Sequence, residues 1–319
     1  MSEPPSYREI CSPEVMAIQP LVSVQMLAYR HERFLAEAIQ GVIAQVCNFP
    51  IELIIAEDCS PDGTRDIALH YQRHYPQLIR VVTGNTNVGL RTNSYRSISI
   101  ARGKYIAICE GDDFWTESTK LAKQVHFMES ATDAILVCHP VNRLDVKTGQ
   151  ITCIHRPARR SRYLSTHEII SGDGDFIPTC SIMVRKSVYA DRPGWWEDAP
   201  IGDYPLVLRA TQLGRIAYFD NVMATYRVNV PESWTHTQGK VKHINGRYAH
   251  ATAIKRLLLG YDASTNHKYT KSTRQIIRKY LFNAIVRGSG GIDLKRAILR
   301  AETSFLTRSD RALARIALA

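Results

Sequence analysis

Ile106-Ala107-Ile108-Cys109-Glu110-Gly111-Asp112-Asp113-Phe114-Trp115 passes from an apolar run into a cluster of acid. Tyr105–Cys109 reads as a strand buried on both faces, the kind found in parallel sheets. Three carboxylates follow within four positions, at Glu110, Asp112 and Asp113. In open α/β sheets ligands sit beyond the carboxyl ends of the strands. Carboxylates this close repel one another unless a cation compensates, and hard oxygen ligands suit Mg²⁺ or Mn²⁺. The competing reading is an acidic turn leading into a helix that starts at Thr116-Glu117.

The chain upstream supplies the sheet. Leu21–Leu27, Leu53–Ala56 and Ile79–Val82 are further apolar strands. Between them Glu32–Val46, Arg65–His74 and Arg91–Ala101 have helical period, the last closed by Gly103. Ser60-Pro61-Asp62-Gly63-Thr64 is a turn that also caps a helix. Strand and helix alternate four times with short loops, the pattern of βαβ units around a parallel sheet. Right-handed crossovers then bring the acidic end of the second strand, Glu57-Asp58, to the same rim as the acidic cluster. Neither a G-x-x-x-x-G-K-[ST] loop nor a G-x-G-x-x-G turn follows the first strand, which speaks against a P-loop enzyme or a dinucleotide dehydrogenase. Residues 1–19 read as a disordered or loosely attached lead.

Composition is that of an ordinary globular protein, with 45% hydrophobic and 22% charged residues over 319 positions. The polar N-terminus predicts no secretory signal, and no run approaches about 18 apolar residues. Seven scattered cysteines without a C-x-x-C pair predict free thiols in a reducing, cytoplasmic setting. The net charge of +11 is concentrated at one end. Residues 239–319 carry 17 Lys and Arg against 4 Asp and Glu, while the preceding 238 carry 24 against 26.

The series V-S-V-x-M-x-A-Y, L-I-I-A-E-D-C-S-x-D-G-T, N-x-G and A-x-G-K-Y-I-A-x-x-E-G-D-D-F-W, in that order, resembles family 2 inverting glycosyltransferases. It is similar to a bacterial subgroup in which E-G-D-D-[YF]-W precedes K-L-x-K-Q-V-x-F-M-E, here Lys120–Glu129. Ile201–Leu206, Gly214–Tyr218 and Val222–Arg227 continue the likeness, which covers roughly residues 20–235.

The resemblance implies an α/β chain of GT-A fold: a Rossmann-like mixed, mostly parallel sheet flanked by helices, with a helical C-terminal extension. The expected divisions are a lead at 1–19, a catalytic domain at 20–238 and a basic extension at 239–319. It implies transfer of a sugar from a nucleotide diphosphate, with a UDP-sugar favoured, to an acceptor hydroxyl with inversion. The pathway would be surface polysaccharide or lipid-linked glycan synthesis. The alternative is a catalytically silent nucleotide-sugar-binding scaffold.

By position, Asp112 is the metal ligand, with Asp113 and Glu110 aiding at metal or ribose, and Asp58 contacts the base or ribose. Glu57 is a neighbour rather than a contact. Ala28 and Tyr29 line the base pocket, and Asn87, Gly89 and Arg91 form the loop approaching the nucleotide. Asp203 falls where the family carries its general base, which inversion needs to take the acceptor proton; an N-cap role for it stands open. Asp198 is the runner-up base. Thr179 and Ser181 are weak sugar-pocket candidates, and Cys180 is not expected as a nucleophile. Trp195 and Trp196 either stack on an acceptor sugar or close the core. Arg227 and Trp234 match a Tyr-Arg-x-His loop in which Asn229 replaces the usual His, with His236 as a substitute.

The basic end reads as helices at Lys242–Leu259, Lys268–Arg287 and Leu294–Leu306, broken at Gly288-Ser289-Gly290-Gly291. It docks on the catalytic domain, or lies against an anionic membrane at its inner face. Nucleic acid is not expected, since no reading motif accompanies the charge.

Overall fold

The computed structural model describes residues 7–197, 199–200, 202–231, 233 and 242–317; Asp198, Trp234 and His236 lie outside the described residues. The chain forms two compact units. The first comprises the residues through Leu164, Phe176–Ala190 and Leu213–Glu232; the second comprises Ser165–Asp175, Asp191–Gln212 and the residues from Ser233 onward.

Four apolar runs build the centre of the first unit as strands β2 (Val22–Ala28), β3 (Ile51–Glu57), β4 (Ile79–Thr83) and β5 (Tyr105–Ile108). They pair in parallel in the order β4-β3-β2-β5. Their connections are helices α2 (Leu35–Ile43), α3 (Thr64–His74) and α4 (Gly89–Ile100), as the alternating pattern predicts. Val22, Val24, Met26, Leu53, Ile55 and Ala107 are wholly buried with Leu35, Ile39 and Val42 of α2 in one core.

Beyond β5 the sheet becomes mixed. β11 (Met183–Arg185) inserts antiparallel between β5 and β7 (Ala134–Cys138). β12 (Arg215–Tyr218) then pairs parallel with β7, and β10 (Arg162–Leu164) closes that edge. A second sheet has the order β6 (Phe114–Trp115), β13 (Ala224–Val228), β8 (Val141–Asp145) and β9 (Ile151–Ile154). The α/β class, with its large mixed sheet flanked by helices, agrees with the sequence expectation.

Two expectations are corrected. Within the lead, Arg8–Ile10 is strand β1, antiparallel to β4, and Pro13–Ala17 is helix α1 with Val15 buried. Glu9 reaches Arg80 Nε at 2.7 Å, and Glu52 accepts from Arg80 Nη1 at 2.7 Å. A tripeptide strand carries no readable periodicity; long-range pairing alone orders it. The acidic turn also does not open a helix at Thr116-Glu117. Phe114–Trp115 is β6, and helix α5 runs Lys120–Ser130.

The second unit is helical: α6 (Thr166–Gly172), α7 (Gly194–Glu197), α8 (Asp203–Leu213), α9 (Ile244–Ser264), α10 (Thr270–Arg287), α11 (Ile292–Ala301) and α12 (Arg308–Ala317). Ser165 and Glu168 form a capping box at the start of α6. Ile170, Leu206, Leu208, Leu257, Tyr261, Ile277 and Leu281 are buried. His167 Nδ1 lies 2.8 Å from Ser272 Oγ, and Lys279 Nζ lies 2.6 Å from Asp173. The break expected at 288–291 is present, with φ of +77° at Gly290 and +62° at Gly291. Helix α12 was not expected. Among the described residues no helix is long and apolar enough to cross a membrane.

Candidate nucleotide and metal site

The acidic turn begins where β5 ends, and the backbone fixes it on both sides. Cys109 N–H donates to Gln25 O at 3.0 Å and Gly111 N–H to Leu27 O at 2.9 Å, so the turn is held along β2. Asp113 N–H closes back on Glu110 O at 3.0 Å. Gly111 has no room for a side chain: a Cβ there would lie 2.7 Å from His31 Nδ1 and 3.1 Å from Leu27 O.

The three carboxylates have different surroundings. Asp112 is partly open, with 14% of its side chain exposed, and its Oδ2 lies 3.8 Å from His31 Nε2. Glu110 is half-buried. Asp113 is wholly buried; Oδ1 accepts from Arg227 N at 2.9 Å, and Oδ2 is a buried atom without an oxygen or nitrogen donor. Burial first, then the charges of Asp112 and Glu110, push the Asp113 carboxyl well above the usual range. Asp113 therefore lies inside the protein beside the backbone of β13, whereas Asp112 meets solvent.

Arg227 completes this arrangement. Its Nη1 donates to Asp112 O at 2.8 Å, its Nη2 pairs with Glu37, and its guanidinium lies 4.4 Å from the Phe114 ring centroid. One buried arginine thus ties the acidic turn to α2 and to its own strand. Asn229, at φ +61°, donates from its side chain to Asp145 at 2.8 Å.

Beneath the turn lies a second buried group. Lys120 is fully buried, with Nζ 2.9 Å from Gln124 Oε1 and 4.2 Å from the Trp115 ring centroid. Gln124 in turn donates to Ser181 O at 3.0 Å, and Trp115 Nε1 donates to Cys180 O at 3.0 Å. Burial pulls the Lys120 ammonium down to about 7. Burial also pushes the Cys180 and Cys109 thiols up, so Cys180 is poorly suited to act as a nucleophile. His139, buried nearby, is pushed well below its usual range by burial and then by Lys120.

Along the rim, Ala28 is buried at the end of β2, and Tyr29 is 36% exposed. Asp58 is buried, and both its oxygens are engaged: Oδ1 accepts from Val88 N at 2.9 Å and Oδ2 from Gly89 N at 2.8 Å. It thereby anchors the start of α4. Asn87 is exposed, with its side chain accepting from Gly89 N at 3.0 Å, and Arg91 is exposed on the first turn of α4. Gly89 takes φ +82°. Glu57 is a structural neighbour, accepting from Arg65 Nε at 2.7 Å and Thr83 Oγ1 at 2.6 Å. The structure therefore brings Ala28, Tyr29, Asp58, Asn87 and Arg91 to the ends of neighbouring strands, with Glu110–Asp113 just past the end of β5, the strand beside β2.

Thr179, Cys180 and Ser181 form a short 3₁₀ turn; Thr179 is half-buried, and Ser181 donates to Pro178 O at 2.6 Å. In the helical unit Asp203 opens α8, half-buried, and accepts from Tyr204 N at 2.7 Å. Trp195 packs on Gly260 of α9, where a Cβ would meet it at 2.4 Å, and stands edge-on to Tyr261 at 5.6 Å. Trp196 is half-buried.

Among the described residues no three His, Cys, Asp or Glu side chains gather into a cation site. One or two protein ligands nevertheless suit Mg²⁺ when substrate phosphates supply the rest, and Asp112 has the chemistry and exposure for that role. His31 and the buried ammonium of Lys120 escaped the sequence reading, while Arg227 was named there without its ties to Asp112 and Glu37. His31 stands in a loop and Lys120 at the start of a helix, where the local pattern has nothing to distinguish them.

A model of the family described as "Glycosyl transferase family 2" matches residues 23–191. The chain belongs to glycosyl transferase family 2. Within reach of it is the protein Rv1520 of Mycobacterium tuberculosis, 36% identical over 214 residues, which cover 67% of this chain and 60% of that one. EpsE of Bacillus subtilis, provisionally named a glycosyltransferase, is 41% identical over 178 residues, covering 55% of this chain and 60% of its own. The match thus spans about 60% of the length of these two relatives. Among solved structures, Staphylococcus aureus TarS 1–349 with UDP-GlcNAc superposes with a TM-score of 0.58 at 16% identity, covering 93% of this chain and 86% of that one. The mannosyltransferase PcManGT of Pyrobaculum calidifontis, with GDP-Man and Mn²⁺, gives a TM-score of 0.54 at 14% identity, covering 96% and 86%. These structural likenesses show the GT-A fold.

Proposed function

We propose that this protein transfers a glycosyl group from a nucleoside-diphosphate sugar to an acceptor hydroxyl, with inversion, during synthesis of a cell-surface polymer. The observation that carries this reading is the acidic turn at the end of β5, where Asp112 remains partly open while Asp113 is buried behind it. TuaG of B. subtilis, provisionally named for teichuronic acid biosynthesis, supports the polymer, and TarS, solved with UDP-GlcNAc, supports a nucleotide-sugar donor. A uridine donor is the form favoured.

Asp112 would hold Mg²⁺ or Mn²⁺, which when bound offsets charge on the departing diphosphate. Glu110 serves beside it at ribose or metal. Asp113 supports the turn from within, through its bond to the backbone of Arg227. Asp58 shapes the base pocket by fixing Val88 and Gly89 at the start of α4. Tyr29 and Ala28 line that pocket, and Asn87 and Arg91 flank it. Asp203 takes the acceptor proton, a role resting on its place in I-G-D-Y-P-L. Thr179, Trp195 and Trp196 are assigned to the acceptor side on the same footing, although the packing of Trp195 on Gly260 favours a structural part for it. The catalytic segment is taken as 20–238, with a basic extension that contacts anionic lipid at the cytoplasmic face of the membrane. Its binding to phosphatidylglycerol vesicles should fall steeply with salt.

The test is a panel of nucleotide sugars assayed for slow hydrolysis with Mn²⁺, with Mg²⁺ and with chelator. Metal-dependent release of nucleoside diphosphate from one donor is expected. Nucleotide binding without turnover of any donor would instead mark a silent scaffold.

A further inference from the structure

We propose that His31 is a second protein ligand, with Asp112, for the divalent ion of the donor complex. This rests on the reading of the acidic turn as a metal–diphosphate site and deepens it.

His31 lies in the loop after β2 and is fixed there by its backbone. Its N–H donates to Thr64 Oγ1 at 2.8 Å, and its carbonyl accepts from Phe34 N at 2.9 Å and Leu35 N at 2.8 Å. The ring lies against Gly111, whose missing Cβ is what leaves it room. Nδ1 is buried there without a hydrogen-bond partner, so Nε2 is the nitrogen left to meet a ligand. The side chain is 14% exposed, as is that of Asp112.

The separation of Nε2 from Asp112 Oδ2 is the deciding quantity. At 3.8 Å it is too long for a hydrogen bond. Two atoms bound about 2.1 Å from one octahedral ion lie about 3.0 Å apart as neighbours and about 4.2 Å apart across it. The observed 3.8 Å exceeds the neighbouring-ligand value by about 0.8 Å and falls short of the opposite-ligand value by about 0.4 Å, so a small side-chain rotation would bring both atoms onto one ion. The two side chains thus face each other without a direct hydrogen bond, which leaves both atoms available to a shared ion. One carboxylate and one imidazole leave most positions for phosphate oxygens and water, consistent with the absence of a three-residue cluster among the described residues. An imidazole ligand also shifts preference from Mg²⁺ towards Mn²⁺ or softer ions, because oxygen-only sets suit Mg²⁺ best.

The test uses the full chain with Mn²⁺ and UDP, read by electron spin echo, in which nitrogen bound to Mn²⁺ modulates the signal. Wild-type protein should show imidazole ¹⁴N modulation that converts to the ¹⁵N pattern when only histidine is ¹⁵N-labelled. His31→Phe should abolish it and weaken UDP-dependent Mn²⁺ binding by about tenfold or more. UDP-dependent Mn²⁺ binding without ¹⁴N modulation in the wild type would overturn the His31 assignment and leave the nucleotide–metal reading intact. Modulation that persists in His31→Phe would transfer the role to another histidine, with the same result. Failure of Mn²⁺ to bind with UDP at all would overturn both readings. The wild-type spectrum decides the matter even if the variant folds poorly.

Discussion

Asp112 and Asp113 are chemically identical neighbours that the fold separates into different tasks. Asp112 reaches solvent and His31; Asp113 is sealed behind it and bonded to the Arg227 backbone. Asp112→Asn should lower metal-dependent turnover by about 100-fold or more, the scale on which a group facing developing charge acts. Circular dichroism should stay native, and unchanged turnover would remove Asp112 from the mechanism. Lys120 offers a test of stability instead. Its ammonium is buried beside Trp115 and Gln124 and pulled from the usual lysine range to about 7. The unfolded chain therefore holds a proton between about pH 7 and the ordinary lysine pKa that the folded chain has released, so this group makes stability rise with pH across that window. Lys120→Met should stabilise the protein more at pH 7 than at pH 9.5, as read by denaturant midpoints. An equal effect at both values would mean that the lysine stays charged when buried.

At the level of elements, helix α4 depends on a carboxylate from another strand. Asp58 satisfies the Val88 and Gly89 N–H groups, two donors that the start of a helix leaves without an internal partner. Asp58→Ala should cost about 1–2 kcal/mol. It should also raise hydrogen exchange across residues 85–91, with little change in α3. Nucleotide affinity should fall with it, because the loop proposed to approach the nucleotide loses its anchor. Protection that is unchanged at 85–91 would show that the rest of α4 holds the loop unaided. The elements of this half were readable because each is local. The apolar runs of β2, β3, β4 and β5 and the helical period between them lie within single stretches of chain. Strand β1 and the placement of β11 were not readable, since a three-residue strand gains its identity only from the strands it joins.

For the molecule as a whole, the charge break at residue 239 does not mark where packing changes. The helical unit includes α6, α7 and α8 along with the basic C-terminal helices. His167 meets Ser272, Asp173 meets Lys279, Trp195 meets Tyr261, and Thr211 Oγ1 lies 2.7 Å from Tyr261 Oη. Ending the chain at 238 should leave the apolar faces of α6 and α8 uncovered. The expected product binds hydrophobic dye, loses near-ultraviolet circular dichroism and has no transferase activity. A soluble product with cooperative unfolding and retained activity would contradict this packing argument.

The sequence by itself determined the α/β alternation, the parallel centre of the sheet and the acidic turn at the end of β5. It could do so because side-chain period and a run of carboxylates are properties of neighbouring residues. Tertiary structure alone decided which carboxylate is open, placed the ring of His31 on Gly111, and brought Arg227 to Asp113 across 114 positions of chain. It also buried Lys120 against Gln124 and Trp115. These are outcomes of long-range pairing, in which each residue's surroundings are set by elements far away in sequence, and no local pattern encodes them.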